Sequence, residues 1–277
     1  YFKIIIEYNQ HTNKGSGKMT VGASSACFYP DVTENSLERL GRLGIKTAEL
    51  FLNSPSELKD EFVKKIIDIK QKYGINIVSL HPFQSFAESF YLFSNYERRF
   101  IDSLPLYERF FDVTHRLGAD ICVFHGAKIP GSISDGEYFE RFKYLTELGK
   151  KYSVHVCHEN VVYYRGENPE YLKRMRDYIG DDFGVVLDIK QAYRAHFEYT
   201  DFINAVGKSI RHVHISDRNS NKDCIPPLTG DFDFKKFFND MKAIGYDGNY
   251  IIEIYDWSYS EDSEIIKAKN KLEKFMP

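Results

Sequence analysis

Short apolar runs recur along the chain, and most of them stop at a polar or charged residue. From Met19 onward they alternate with stretches of helical period. TVGASSACF predicts a first strand. Ser36–Leu43 predicts a first helix, with Asn35 and Glu38 as a capping pair and Leu37 and Leu40 on one face. Gly44 ends that helix. IKTAELF is the second strand. Ser54, Pro55 and Glu57 open a helix whose buried stripe is Leu58, Phe62, Ile66 and Ile69, and Gly74 stops it. INIVSLH is the third strand. An aromatic segment, PFQSFAESFYLFSNY, then leads into a helix running toward Gly118, which Pro105 should kink or interrupt. ADICVFH is the fourth strand, and Ser134 with Glu137 caps a helix to about Lys151. VHVCHEN is the fifth strand; Asn168 and Pro169 open the next helix, ended by Gly180. FGVVLD is the sixth, with a helix near Thr200–Val206. IRHVHIS is the seventh, followed by a helix lined by Phe234, Phe237, Phe238 and Met241 up to Gly245. NYIIEIY is the eighth, and Ser263–Phe275 closes the chain as a helix.

Eight strands alternating with helices predict an α/β fold, a single (β/α)8 TIM barrel spanning residues 19–277. An open doubly wound sheet is the alternative. It is disfavoured because no strand is followed by GxGxxG or a P-loop. The chain has 277 residues, 43% of them hydrophobic and 28% charged, which suits one barrel with a large core. Residues 1–18 lack the long apolar centre of a signal peptide, and Met19 reads as a natural start. The stretch before it is a tag remnant, a mis-called start or a small extra strand. No run is long enough to span a membrane. The net charge of −3 offers no basic field for nucleic acid. Cys27, Cys122, Cys157 and Cys224 form no CxxC pair, and three lie in or beside strands; this predicts reduced, buried thiols and a cytoplasmic location.

The chemistry is expected where the strands end, because parallel barrels carry their active sites at the C-terminal ends of the strands. The polar residues there are Glu49, His81, His125, Glu159, Asp188, His214 and Glu253. In KYSVHVCHENVVYY an apolar strand ends on Glu159, with Asn160 directly after it. An acid in that position is costly unless it has a partner. GVVLDIKQ ends on Asp188, IRHVHISD carries His214 and YIIEIYD carries Glu253. Three carboxylates and an imidazole converging on one point would repel unless a cation sat between them. A divalent metal at the barrel mouth is therefore the central expectation. Strand alternation puts His212 on the face of His214, Cys157 with Glu159 and Val186 with Asp188. His212, one layer deeper, reads as a hydrogen-bonded interior residue, and Cys157 reads as core.

The motifs SLHPF at His81, VFHGA at His125, CHENV at Glu159, VLDIKQA at Asp188, HVHISD at His214, the following PPLTGDFDF and IIEIY at Glu253 resemble, in order and spacing, the xylose isomerase-like barrel superfamily. That group includes sugar phosphate isomerases and epimerases, ketose 3-epimerases, inosose dehydratases and endonuclease IV. The resemblance implies one divalent ion on Glu159, Asp188, His214 and Glu253, with Mn²⁺ the first choice and Zn²⁺ or Mg²⁺ the alternatives. It also implies that Glu159 and Glu253 carry the proton. His81, His125, Gln191, Lys190 and Glu49 would contact substrate, or His81, His125 and Glu159 would hold a second metal. Endonuclease IV needs a third site. Its histidine after the sixth strand is Gln191 here, and its later Asp-x-His falls near Lys222 and Cys224, which argues against cleavage of abasic DNA. The resemblance thus implies an enzyme: a metal-dependent isomerase or epimerase of a sugar, sugar phosphate or cyclitol. The alternatives are an inosose-type dehydratase, an endonuclease IV-like phosphodiesterase and a non-catalytic sugar-binding barrel. The expected partner is a small carbohydrate, with a homo-oligomer left open.

Overall fold

Each strand is short and apolar because it is covered on both sides, by helices outside and by its neighbours' inward side chains within. In the computed structural model, which describes residues 19–83 and 85–276, eight such strands close into one parallel barrel in sequence order. They are β1 Val21–Ser24, β2 Thr47–Phe51, β3 Asn76–His81, β4 Ile121–Phe124, β5 His155–Glu159, β6 Gly184–Asp188, β7 Ile210–Ile215 and β8 Tyr250–Ile252. β8 pairs with β1 through Gly22 and Ile251 and completes the ring. The sequence-predicted (β/α)8 fold is the fold of the protein. The expectations for residues 1–18 lie outside the described residues.

The helices are α1 Thr33–Arg42, α2 Asp60–Tyr73, α3 Glu88–Tyr91, α4 Glu97–Arg116, α5 Asp135–Lys150, α6 Pro169–Ile179, α7 Ile189–Arg194, α8 Tyr199–Val206, α9 Phe234–Ala243 and α10 Ser263–Leu272. Several starts are as expected. Ser134 accepts the Glu137 N–H, and Asn168 accepts those of Glu170 and Tyr171. Gly74 ends α2 in the left-handed conformation at φ +62, where a β-carbon would clash.

Other details differ, for physical reasons. α1 begins three residues early, so Asn35 and Glu38 lie inside it rather than at its cap. Ser54 and Pro55 open a 3₁₀ turn, Pro55–Leu58, and α2 starts only at Asp60. Glu57 is taken up elsewhere: its carboxylate accepts from Asn53 N at 2.6 Å and Thr33 Oγ1 at 3.0 Å. Pro105 sits within α4 without interrupting it. α7 follows β6 at once, ahead of the helix that the sequence predicts near Thr200–Val206.

The main apolar core lies between barrel and helices. A second, small cluster of Val123, Cys157 and Val186 sits on neighbouring strands, on the face shared with Glu159 and Asp188. All four cysteines are free and buried. Among the described residues no helix is long and apolar enough to cross a membrane. The long loop after β7 is tied down by the buried Asp217. Its carboxylate accepts from the amides of Arg218, Gly230 and Phe232 at 2.7, 2.9 and 3.0 Å. At Gly230 a β-carbon would lie 2.1 Å from the Arg218 carbonyl oxygen, so the loop closes only on glycine.

Candidate metal centre

Four consecutive strands end at one point. Glu159 closes β5, Asp188 closes β6, His214 lies one residue before the end of β7, and Glu253 follows β8. One ligand atom from each can be chosen so that all lie within 4.8 Å of one another. His214 Nδ1 is central. It is 3.4 Å from Glu159 Oε1, 3.6 Å from Glu253 Oε2 and 4.0 Å from Asp188 Oδ2. The side chains of Glu159, Asp188 and His214 are essentially closed to solvent, while that of Glu253 is 14% exposed.

Each position is locked from behind. Asp188 caps α7, its Oδ1 accepting from Lys190 N at 2.7 Å and Gln191 N at 3.1 Å. Asn160, directly after Glu159, ties β5 to β6: its Nδ2 donates to the Asp188 carbonyl at 3.0 Å and its Oδ1 accepts from Asp188 N at 2.7 Å. His214 Nε2 lies 3.0 Å from Glu49 Oε2. A carboxylate only accepts, so Nε2 carries a proton and Nδ1 is left for the cage.

The donor set can be tested for fit. Glu159 Oε2, Asp188 Oδ2 and His214 Nδ1 are buried polar atoms without a hydrogen-bond partner. Such atoms are costly, and their convergence is what a cation would satisfy. Three carboxylate oxygens and one imidazole nitrogen suit a hard or borderline divalent ion. Electrostatics agree. Burial depresses the His214 imidazole, but Glu49, Glu253 and Glu159 outweigh it and hold it well above the usual range. Burial lifts the Asp188 carboxyl to about 6, with Lys190 pulling it down and Glu253 and Glu159 pushing it up.

A second cluster adjoins the first. His125 Nε2 is 2.9 Å from Glu159 Oε2, out of line for a hydrogen bond, and His81 Nε2 is 3.7 Å from it. His81 Nδ1 donates to the Pro82 carbonyl at 3.2 Å, so its Nε2 turns inward toward His125 Nε2, 3.0 Å away. Glu159 thus faces two neighbourhoods, one with each oxygen.

A third cluster, Glu49, His212 and His214, is of another kind. Glu49 Oε2 already takes contacts from His212 Nε2 and His214 Nε2 at 3.0 Å each and from Ser79 Oγ at 2.8 Å. Glu49 has no exposed surface. A substrate contact was expected of it; in the structure it lies behind His214, 3.0 Å from its Nε2. His212 is a hydrogen-bonded interior residue, as the alternation predicted.

Two more residues expected to contact substrate have partners within the protein. Lys190 is buried against the cage. It is 3% exposed, with Nζ 2.9 Å from Glu253 Oε2 and 3.2 Å from Asp188 Oδ2. Gln191 is nearly buried, and its amide oxygen accepts from Val162 N at 3.3 Å, in the loop after β5. The sequence held a signal for both: Asp188 followed by IKQAYR is a capping residue before helix formers.

Sequence reasoning also passed over Glu88. It is buried in α3, within the aromatic segment, and accepts from the Gly126 amide beside His125. Beside Lys190 a cavity of about 410 Å³ is lined by Tyr193, Arg194, Asp223, Cys224, Tyr255 and Trp257. Trp257 is exposed and stacks on Tyr255 at 4.4 Å. A cavity of about 1090 Å³ lies at the other end of the barrel, against strand starts such as Asn76, His155 and Arg211.

This architecture recurs in known structures. A D-tagatose 3-epimerase-like protein superposes with a TM-score of 0.76 at 22% identity, over 93% of this chain and 97% of that one. A D-allulose 3-epimerase from Methylomonas sp., in complex with D-allulose, gives 0.76 at 19% identity, over 93% and 96%. A 3-keto-D-glucoside 4-epimerase from E. coli gives 0.74 at 14% identity, over 93% and 100%. At these identities the likeness is one of fold. In sequence, the uncharacterized protein MJ1311 of Methanocaldococcus jannaschii is 24% identical over 272 residues, covering 93% of this chain and 89% of the relative. The family model of the xylose isomerase-like TIM barrel matches residues 37–274, a span that holds every strand from β2 to β8 and all four cage residues, and the chain belongs to that family.

Proposed function

We propose that the protein is a metal-dependent sugar isomerase or epimerase that moves a proton next to a carbonyl group. The observation that carries this reading is the convergence of orphaned, buried ligand atoms of Glu159, Asp188 and His214 beside the more open Glu253. These four residues would hold one divalent ion, with Mn²⁺ the first choice and Zn²⁺ or Mg²⁺ the alternatives. When bound, such an ion supplies Lewis acidity that polarises a substrate carbonyl and a neighbouring hydroxyl and acidifies the C–H between them.

The chain's own residues divide the remaining work. Asp188 and His214, pinned by α7 and by Glu49, serve as holders. Glu159 and Glu253 stand on strands three places apart in the ring and act as proton carriers on opposite faces of the sugar, one removing and the other returning the proton. His81 and His125 present ring nitrogens on the Glu159 side and bind substrate oxygens there. The cavity beside Lys190 receives the rest of the substrate. Trp257 and Tyr255 offer apolar faces to C–H groups, and Arg194 and Asp223 offer donors and acceptors to hydroxyls.

The carbohydrate class rests on the names of the structural neighbours, which are epimerases of D-tagatose, D-allulose and a keto-glucoside. The phosphodiesterase reading has less support. The Gln191 amide oxygen is engaged with Val162, and the Cys224 thiol is buried and raised above its ordinary range chiefly by that burial.

The test is elemental analysis of protein purified without added metal, then NMR of a ketose and aldose panel in D₂O. One divalent ion per chain with deuterium entering beside the carbonyl is the expected result. A loaded protein that exchanges no sugar proton would refute the reading.

A further inference from the structure

Lys190 places a full positive charge inside the set of residues read above as metal ligands. Its Nζ lies 2.9 Å from Glu253 Oε2 and 3.2 Å from Asp188 Oδ2. These are the same two oxygens that face His214 Nδ1. The ammonium is therefore at the wall of the cage, not behind it. It is also fixed. Its own backbone N–H donates to Asp188 Oδ1 at 2.7 Å, so residue 190 hydrogen-bonds one oxygen of that carboxylate and sets its ammonium beside the other, which still lacks a hydrogen-bond partner. The Tyr255 ring lies 5.1 Å from Nζ, and the Tyr255 hydroxyl is held by Arg194 Nη1 at 2.9 Å. The side chain is 3% exposed, so water contributes little to holding the charge.

Charge decides what this arrangement does. Four buried or nearly buried carboxylates meet here: Glu49, Glu159, Asp188 and Glu253. With no metal, the Lys190 ammonium lies among them and offsets the mutual repulsion of Asp188 and Glu253. With a metal, the ammonium and the ion share the same two oxygens and repel each other at short range in a poorly screened site.

We infer that Lys190 is a positioning residue that acts as a built-in cation: it keeps the carboxylate cage assembled before a metal arrives and loosens the metal's hold once it is there. The inference rests on reading the cage as a divalent-cation site. It makes a prediction opposite in sign to the two plainer roles. If Lys190 were a substrate contact, its loss would leave metal affinity unchanged. If it were a scaffold residue, its loss would weaken metal binding along with everything else. As a competing cation, its loss strengthens metal binding and destabilises only the metal-free protein.

The test uses the full chain, stripped with chelator, as wild type and as two neutral variants, Lys190→Met and Lys190→Gln. Metal-free stability is read by thermal melting, and affinity by calorimetric titration with Mn²⁺ and Zn²⁺. Both variants are expected to melt below wild type without metal. They should bind metal about tenfold more tightly or better, and show a larger metal-induced rise in melting temperature. A variant that folds only when metal is supplied supports the inference in stronger form. Unchanged or weaker affinity in variants that fold would overturn it while leaving the cage intact. So would failure of both variants to fold even with metal, since Lys190 would then be scaffold. A wild type that binds neither ion would overturn the cage reading itself, and this inference with it.

Discussion

Glu159 and Glu253 stand on opposite flanks of the same cage, and the flanks are built from different materials. Glu159 Oε2 looks onto His81 and His125, whose ring nitrogens at 3.7 and 2.9 Å can each carry a proton or offer a lone pair. Glu253 Oε2 looks onto Lys190 at 2.9 Å, whose amine burial depresses but Asp188 and Glu253 hold well above its usual range. The first flank is adjustable: it can accept a proton, a substrate hydroxyl or a second cation. The second flank already holds its cation. Exposure differs in the same sense, with Glu159 sealed and Glu253 partly open. The two glutamates therefore share a role in name but not in environment. Burial raises both carboxyls; His125, His214 and His81 bring Glu159 well below the usual range, whereas Lys190 and His214 bring Glu253 down. If the two act as the proton carriers proposed above, they do so from unlike surroundings.

The comparison breaks most completely if the two flanks share no centre. His214→Ala and Asp188→Asn should each abolish metal binding and activity while the barrel stays folded by circular dichroism, because both residues sit between the flanks. Full occupancy by elemental analysis in both variants would mean that the flanks are separate sites.

Next in size are the glutamates themselves. Glutamine keeps one ligating oxygen but cannot serve as a carboxylate base. Glu253→Gln and Glu159→Gln should each keep part of the metal and lose turnover by about 10²–10⁴-fold. If each carrier serves one face, one of the two variants should still exchange the substrate proton with D₂O from a single face. Near-normal turnover in both, with metal bound, would move the base to His81 or His125.

A smaller effect is expected one layer down. Glu49→Gln leaves His214 without its charged partner and should weaken metal binding about 10–100-fold with little change in folding. Because Glu49 lies below both flanks, the loss should be the same whether or not Lys190 is present. A double variant with Lys190→Met measures this, and strong coupling would tie Glu49 to the lysine flank alone.

How much of this could be read from the chain divides along the same line. The barrel was legible because strand and helix periods differ and several helix ends, such as those at Ser134, Asn168 and Gly74, carried their own punctuation. The cage was legible because an acid closing an apolar strand has few structural uses, and Glu159, Asp188, His214 and Glu253 repeat that pattern on successive strands. The histidine flank was legible for the same reason. Lys190 was not. In a linear reading, it stood as a substrate contact, with nothing to aim it at the cage carboxylates. Only the six-residue α7, capped by the very aspartate it then pairs with, turns its side chain inward. Glu49 was found as a strand-end acid but not its depth behind His214, because alternation fixes a face and not a depth.

The smallest predicted effect concerns what the histidine flank rests on. Glu88 is buried beneath it, with one oxygen accepting from the Gly126 amide and the other, Oε1, without a partner. Burial pushes its carboxyl well above the usual range, and the neighbouring amides of Gly126 and His125 only partly oppose this. In the unfolded chain the group returns to an ordinary value. As pH rises from that value toward the folded one, the unfolded chain releases this proton while the folded chain keeps it. The Glu88 contribution to stability therefore falls with rising pH over that window. Glutamine at this position keeps an acceptor for Gly126 and places a donor where Oε1 is orphaned. Glu88→Gln should melt close to wild type near pH 5 and increasingly above it toward pH 8, by roughly 2–4 °C for each kcal/mol recovered. Taking the difference between the two proteins cancels the other titrating groups. If the gap instead widens toward low pH, Glu88 is ionised in the fold. The histidine flank would then also stand on a buried charge, and the two flanks would be more alike than their side chains suggest.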